Sequence, residues 1–263
     1  MSEVQMFKVT IDGTSIEVPA GTTVLQAARM IGGDCVPPAM CFYTPLEESG
    51  GKCRTCLVKV AAGSEKDPRP MPKLMPSCKT NVMDGMIVES KINQQVQDAR
   101  AGITEILLAN HHLDCPVCDQ AGECDLQDLA FEHGKGESRF DFKKQEFEEE
   151  SMGDLISLNK ERCIVCYRCV YAANQLCDKR DHGVLYRGDK AEISSLIGES
   201  LDNEFIGNII DVCPVGALTD KTFRFKSRVW FTSQFDAHRD CDKCCGKVVV
   251  HKQGEEIIRV SAR

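Results

Sequence analysis

HHLDCPVCDQAGECDLQDLAFEHGKG, residues 111–136, is the stretch from which the rest of the chain is read. It holds Cys115, Cys118 and Cys124, with His111 four residues before the first of them. Three thiols and an imidazole within fourteen residues are four soft or borderline donors, enough to close one metal site. Tetrahedral zinc and the irons of an iron–sulfur cluster both accept such a set. Zinc sites usually bring two ligand pairs from separated knuckles, and one continuous C-x2-C-x5-C run fits them less well. Downstream, Cys163-x2-Cys166-x2-Cys169 with a distant Cys213-Pro214 is a spacing that thiolates use around four irons. That second group decides for iron and sulfur.

With both groups quoted, a family comes into view. H-x3-C-x2-C-x5-C-D-L-Q-D followed by F-E-H-G-x-G resembles the N-terminal part of the large iron–sulfur subunit (the 75 kDa type) of NADH–quinone oxidoreductase, respiratory complex I. The resemblance runs from residue 6 to about residue 230, with four separate motifs in the family's order. It implies an α+β, multidomain protein. Residues 1–90 are expected to form a β-grasp [2Fe–2S] ferredoxin and 91–150 a small helical His/Cys [4Fe–4S] module. Residues 151–230 are expected to form a bacterial-ferredoxin-like [4Fe–4S] module, and 231–263 a short tail hairpin, the remnant of a missing C-terminal domain. The implied function is single-electron relay within a multisubunit oxidoreductase, with no bond-making chemistry by protein groups. An NADH-oxidising flavoprotein would stand upstream and further iron–sulfur subunits downstream, toward quinone. The implied location is the cytoplasmic side of the inner membrane, in a peripheral arm.

Composition agrees with small modules stapled by clusters. Hydrophobic residues make up 42% of 263, with a single Trp, thin for one continuous core. A formal net charge of −8 gives no electrostatic support for a nucleic-acid partner. Sixteen cysteines in clustered C-x2-C spacings, behind an N-terminus with no apolar signal region, point to metal rather than disulfides. No apolar run approaches membrane-spanning length. No G-x-G-x-x-G or P-loop occurs, so a nicotinamide or flavin belongs on another subunit.

In chain order, MFKVTI and SIEV around Asp12-Gly13 read as a hairpin. Thr22 or Thr23 can cap a helix carrying Val24, Leu25, Ala28 and Ile31 on its apolar face. A loop through Pro37-Pro38 to Cys41 follows, the element order of the plant-type ferredoxin. The [2Fe–2S] ligands implied are Cys41, Cys53, Cys56 and Cys78. Eleven residues separate the first two where soluble ferredoxins have four, a departure that is itself the complex I pattern. Gly50-Gly51 leaves the backbone room to wrap a cluster, and Cys35 reads as a small buried residue. Ala61–Pro76 reads as a surface loop and Asp84–Val88 as a turn and the last strand of the module.

Residues 92–109 switch to helical period, with Val96, Ala99, Ile103, Ile106 and Leu107 on one face. Of the two histidines that follow, the family's spacing makes His111 the ligand with Cys115, Cys118 and Cys124, and His112 a solvated neighbour. Glu146–Glu150 reads as a solvated linker. A two-cluster ferredoxin would need a cysteine at position 173, which is Ala, so Cys163, Cys166, Cys169 and Cys213 hold one [4Fe–4S] cluster. Cys177 reads as packing. Lys160, Arg162 and Arg168 bring positive charge toward this cluster and favour its reduced state.

In the tail, Lys247–Val250 and Ile257–Val260 around Gln253-Gly254 read as a hairpin. Cys241, Cys244 and Cys245 are too few, and two are adjacent, so no fourth cluster is expected. A zinc ion completed by His238 or His251 is the competing possibility there. Two alternatives to the whole account stand: the diaphorase iron–sulfur subunit of an NAD-linked hydrogenase, and a structural zinc-binding scaffold.

Overall fold

Asp12 and Gly13 take φ of 46° and 86°, the pair of left-handed residues that a two-residue hairpin turn needs. They join β1 (Met6–Ile11) to β2 (Thr14–Pro19) in antiparallel register. Helix α1 (Val24–Ile31) follows, and of the two threonines it is Thr23 that caps it. The Thr23 hydroxyl accepts from Gln26 N while Gln26 Oε1 accepts from Thr23 N at 2.9 Å, a reciprocal capping box. The computed structural model describes residues 5–176, 182–195, 205–240 and 246–262.

Two compact units divide the chain. The first comprises Met1–Phe42, Gly50–Leu108 and Leu129–Phe140. Its sheet has five strands in the order β2-β1-β5-β3-β4, with β3 at Leu57–Ala62, β4 at Met75–Pro76 and β5 at Met86–Glu89. Strand β5 runs parallel to β1 and antiparallel to β3. Val24, Ala27 and Ala28 of α1 share one core with Val9, Ile11, Val58, Val60 and Val88 of the sheet. Each fully buried Val or Ile there contributes about 1.5–3 kcal/mol relative to exposure.

Helix α2 (Gln94–Asn110) exists where periodicity places it, but it buries a different face. Val96, Arg100, Thr104 and Glu105 are buried, whereas Ile106 is 67% exposed. Glu105 pairs with Arg139 at 2.6 Å, and the Thr104 hydroxyl donates back to the Arg100 carbonyl at 2.8 Å. Arg100 has no carboxylate partner among the described residues. Helix α3 (Asp125–His133) starts at the residue after Cys124, with Asp125 and Asp128 in its first turn.

The second unit comprises Tyr43–Ser49, Ala109–Asp128 and Asp141–Arg263. A three-stranded sheet, order β10-β7-β6, joins β6 (Glu150–Ser151), β7 (Ile156–Leu158) and β10 (Leu218–Asp220). Ile156 and Leu158 pack with Ala172 and Ala173 of α4 (Arg168–Leu176) and with Ile209 of α5 (Gly207–Asp211). Ile193 enters the same core from the hairpin of β8 (His182–Leu185) and β9 (Glu192–Ser195). The tail holds more than the expected hairpin. Strand β11 (Ser233–His238) adds to β12 (Lys247–Gln253) and β13 (Glu256–Ala262), giving the order β11-β12-β13. Among the described residues no helix is long and apolar enough to cross a membrane.

Candidate metal centres

Cys41, Cys53, Cys56 and Cys78 are all buried in the first unit. Cys41 sits in the loop after α1, Cys56 at the mouth of β3, and Cys78 two residues past β4. They lie together: Cys56 Sγ and Cys78 Sγ are 3.4 Å apart, and Cys41 bonds to Cys53. Backbone amides wrap the sulfurs. Gly51 N donates to Cys78 Sγ at 3.2 Å, and Lys52 N and Cys53 N both donate to Cys41 Sγ at 3.3 Å. Thr55 Oγ1 lies 3.1 Å from Cys53 Sγ and donates to the Pro38 carbonyl. Sharing a proton with Cys41 holds the Cys53 thiol down at about 5, while the same bond and burial push Cys41 up. The other pair behaves alike, with Cys56 raised and Cys78 lowered by the bond between them. A Cβ on Gly50 would stand 3.1 Å from Cys78 Sγ, so the chain passes this sulfur closely, at a φ of 102° that favours glycine. Cys35 lies apart from the set, packs beside the valine core and donates to the Gly32 carbonyl at 3.2 Å.

In the second unit His111 directly follows α2, and Cys115 and Cys118 stand on a turn in which Cys118 N donates to the Asp114 and Cys115 carbonyls. Cys118 and Cys124 are buried and Cys115 half-buried, and each thiol feels the next electrostatically. Burial raises Cys118 and pushes Cys124 up to about 11. The two histidines differ sharply. His112 Nε2 lies 3.1 Å from the Gln145 carbonyl and its Nδ1 3.2 Å from Glu161 Oε2. It is therefore held by protein on both sides while its side chain stays 27% exposed. His111 Nδ1 is buried with no partner, and desolvation lowers its pKa to about 4, the neutral imidazole a metal requires.

Cys163, Cys166, Cys169 and Cys213 line one cavity, whose other walls include Leu158, Ile193, Val215 and Leu218. Burial in these apolar surroundings raises all four thiols, Cys163 to about 12. Metal loading here must displace protons. Asn159 Oδ1 accepts from Arg162 N at 3.2 Å and fixes the turn that leads into Cys163. The positive charges expected around this set are largely neutralised. Lys160 pairs with Glu150 at 2.9 Å and Glu192 at 3.5 Å, Arg162 with Asp114, and Arg168 with Asp125 at 3.6 Å. Their net field is weaker than their sequence positions suggest.

The two sets of the second unit are tied to each other. A Cβ on Gly216 would collide with Cys118 Sγ and stand 3.2 Å from Gln120 Cβ. Gly216 is three residues after Cys213, so the loop carrying one candidate donor passes directly over a sulfur of the other set. Asp125 N donates to the Pro214 carbonyl at 3.0 Å, and Arg162 Nη1 to the Gly216 carbonyl at 3.5 Å. Nothing in the sequence marked Gly216 beyond its place in C-P-V-G.

Among the described residues no group of three or more His, Cys, Asp or Glu side chains is arranged to hold a single metal ion. His251 bonds Thr232 at 3.4 Å and Ser261 at 3.2 Å, a structural role inside the tail sheet. Cys177, Cys241, Cys244 and Cys245 lie outside the described residues.

Comparison with known proteins follows the same division. Residues 4–92 match the 2Fe-2S iron-sulfur cluster binding domain, and 100–139 the NADH-ubiquinone oxidoreductase-G iron-sulfur binding region. Residues 153–219 match the ferredoxin-like domain of NADH-quinone oxidoreductase subunit 3. The G-type subunit of the Rickettsia bellii NADH-quinone oxidoreductase is 41% identical over 98% of this chain. Over nearly its whole length the chain is similar to G-type (75 kDa) subunits of NADH-quinone oxidoreductase. The NADH-ubiquinone oxidoreductase 75 kDa subunit of Reclinomonas americana is 40% identical over 98% of the chain, and a mitochondrial iron-sulfur protein 1 of Solanum tuberosum 38%. The chain spans 36% of the length of the Rickettsia and Reclinomonas relatives and 33% of the Solanum one. A solved structure of NAD+-reducing [NiFe]-hydrogenase is also similar, with a TM-score of 0.71 and 28% identity. That match covers 85% of this chain and 91% of the other. The hydrogenase chain thus shares the architecture described above.

Proposed function

We propose that this chain is the electron-relay part of a 75 kDa-type subunit, carrying single electrons through one [2Fe–2S] and two [4Fe–4S] clusters. One observation carries the proposal: each of three donor sets falls inside a separate region that matches an iron–sulfur family, in sequence order. Cys41, Cys53, Cys56 and Cys78 would hold the two-iron cluster in residues 1–90, whose hairpin, helix and mixed sheet suit a β-grasp fold. His111, Cys115, Cys118 and Cys124 would hold a four-iron cluster in residues 91–150, with the unpartnered Nδ1 of His111 supporting that choice over His112. Cys163, Cys166, Cys169 and Cys213 would hold the other in a bacterial-ferredoxin-like module at 151–230, with 231–263 as a tail.

When bound, the clusters supply reversible one-electron storage. The protein residues hold them apart, exclude water and aim amides at their sulfurs. A flavoprotein partner would take hydride from NADH and hand electrons over singly, and further iron–sulfur subunits would pass them toward quinone. Association with a membrane would come through those partners, on the cytoplasmic face. Chemical analysis should give about ten irons per chain, the sum of two, four and four. About six would remove one four-iron site, and zinc in place of iron would convert the chain to a structural scaffold. The 91% coverage of the hydrogenase chain favours a second reading, a diaphorase iron–sulfur subunit. Co-purification with a hydrogenase instead of a membrane complex would select it.

A further inference from the structure

The strongest unexplained feature outside the donor sets is a buried cation. Arg100 is 3% exposed on the inner side of α2, where a helix normally presents apolar residues. Its Nη2 donates to Ser90 Oγ at 2.8 Å and reaches the Leu57 carbonyl at 3.4 Å, while its Nε has no partner. A guanidinium stays protonated in proteins, and burying one without a counter-charge costs several kcal/mol.

Three groups act on it electrostatically, Asp12 most, then Cys56 and Glu132. The Asp12 carboxylate accepts from Ser90 N at 2.6 Å and Lys91 N at 2.8 Å; its charge stays in place as a partial offset, but it makes no direct bond to the guanidinium. Glu132 is largely exposed, so water screens it. Cys56 is different, being 1% exposed and directly before Leu57, whose carbonyl Arg100 contacts. Leu57 also pairs in register with Pro76, two residues before Cys78. The guanidinium therefore stands beside the backbone that leaves Cys56, next to the strand that leads into Cys78.

We infer that Arg100 is the buried counter-charge of the cluster held by Cys41, Cys53, Cys56 and Cys78, and that it raises that cluster's reduction potential. The inference rests on the two-iron assignment made above. One-electron reduction adds one negative charge to the cluster, and a fixed cation nearby stabilises the reduced state more than the oxidised one. Lys52 and Arg54 also flank the cysteines, but both are exposed and their fields are screened. Arg100 is a positioning residue acting through the protein on the cluster, not a ligand.

The test is an EPR-monitored redox titration of the full chain with its clusters loaded, using dithionite as the electron donor. Arg100→Gln should leave iron content unchanged and lower the reduced-to-oxidised ratio of the two-iron signal about tenfold at fixed potential, 59 mV for a one-electron couple. Arg100→Lys keeps the charge and should move the ratio back toward wild type. Ser90→Asp keeps the arginine but sets a carboxylate against it, and should shift the ratio in the same direction as Arg100→Gln. The four-iron signals should not move in any variant. If Arg100→Gln loses iron, Ser90→Asp decides. An unshifted two-iron potential in whichever of the two variants retains the cluster overturns the inference. A wild-type chain without a two-iron signal would overturn the cluster assignment instead, a separate failure.

Discussion

The Cys41 set of the first unit and the Cys163 set of the second solve the same problem with different charged neighbours. The first is wrapped in polar contacts: three backbone amides and the Thr55 hydroxyl touch its sulfurs, and a lone guanidinium lies nearby. The second sits in a cavity walled by Leu158, Ile193, Val215 and Leu218; amides reach its sulfurs too, Val165 N to Cys163 at 3.4 Å and those of Val215, Ala217 and Leu218 to Cys213, but each cation beside it carries a carboxylate. Donors aimed at sulfur and uncompensated positive charge both raise a cluster's potential, while apolar burial disfavours the added negative charge. Four cysteines are proposed at each, so the donors do not distinguish the two sets; under that assignment cluster type and these neighbours set the potentials.

The comparison breaks most easily at the glycines. Gly216→Ala drives a methyl group into Cys118 Sγ, and the atoms it meets are a ligand and the Gln120 side chain, held by the turn around them. Loss of about four irons per chain is the expected outcome, with the two-iron EPR signal intact. Gly50→Ala meets Cys78 Sγ at 3.1 Å and Phe42 at 3.3 Å, needs a shift of tenths of an ångström, and strains a backbone held at φ of 102°. It should keep its cluster at a cost of about 1–3 kcal/mol, read from thermal unfolding. If both variants retain all iron, the close passage over Cys118 is not a constraint.

Gly216 also shows where sequence reasoning stops. The donor sets were legible because ligand spacing is local, and the first hairpin and the cap of α1 were legible because turn and cap chemistry is local too. The inner face of α2 was not. Its periodicity points to Ile106, yet Ile106 is exposed and Arg100 buried, because the partners of Arg100 lie 10 and 43 residues away. Strand β11 was missed for a related reason. Ser233–His238 is mostly exposed and shows no apolar alternation, so only its pairing with β12 reveals it. The charges near Cys163 were seen, but their carboxylate partners were not.

Burial without a partner, seen at Arg100 Nε in the first unit, occurs in the second at His182. It is 1% exposed, neither ring nitrogen has a partner among the described residues, and desolvation lowers its pKa to about 4. The fold thus prefers the neutral ring, so its contribution is full above the unfolded value near 6.5 and is lost as pH falls toward 4. The loss across that window is on the order of 3 kcal/mol. Hydrogen exchange of the second unit at pH 7.5 and 5 should show the change, and His182→Leu should flatten it. An unchanged acid slope in His182→Leu would mean that the second unit tolerates an unpaired charge after all.

The smallest expected effect concerns backbone strain, which both units place between ligands. Arg54 between Cys53 and Cys56 has φ of 64°, and Val165 between Cys163 and Cys166 has φ of 50°. In each case a left-handed residue turns the chain between two ligands, and Val165 N faces Cys163 Sγ at 3.4 Å. The two differ in cost. An unbranched side chain tolerates this region better than a β-branched one, whose second Cγ crowds the backbone. Val165→Gly removes about 1–2 kcal/mol of strain and adds about 0.5–1 kcal/mol of unfolded-state entropy. A net stabilisation below about 1 kcal/mol follows, with the amide and its bond to Cys163 kept. Arg54→Gly has less strain to relieve and should come out neutral or slightly destabilised. Denaturant midpoints of the two variants check this pair. A Val165→Gly variant less stable than Arg54→Gly would show that Val165 contributes packing that outweighs its strain.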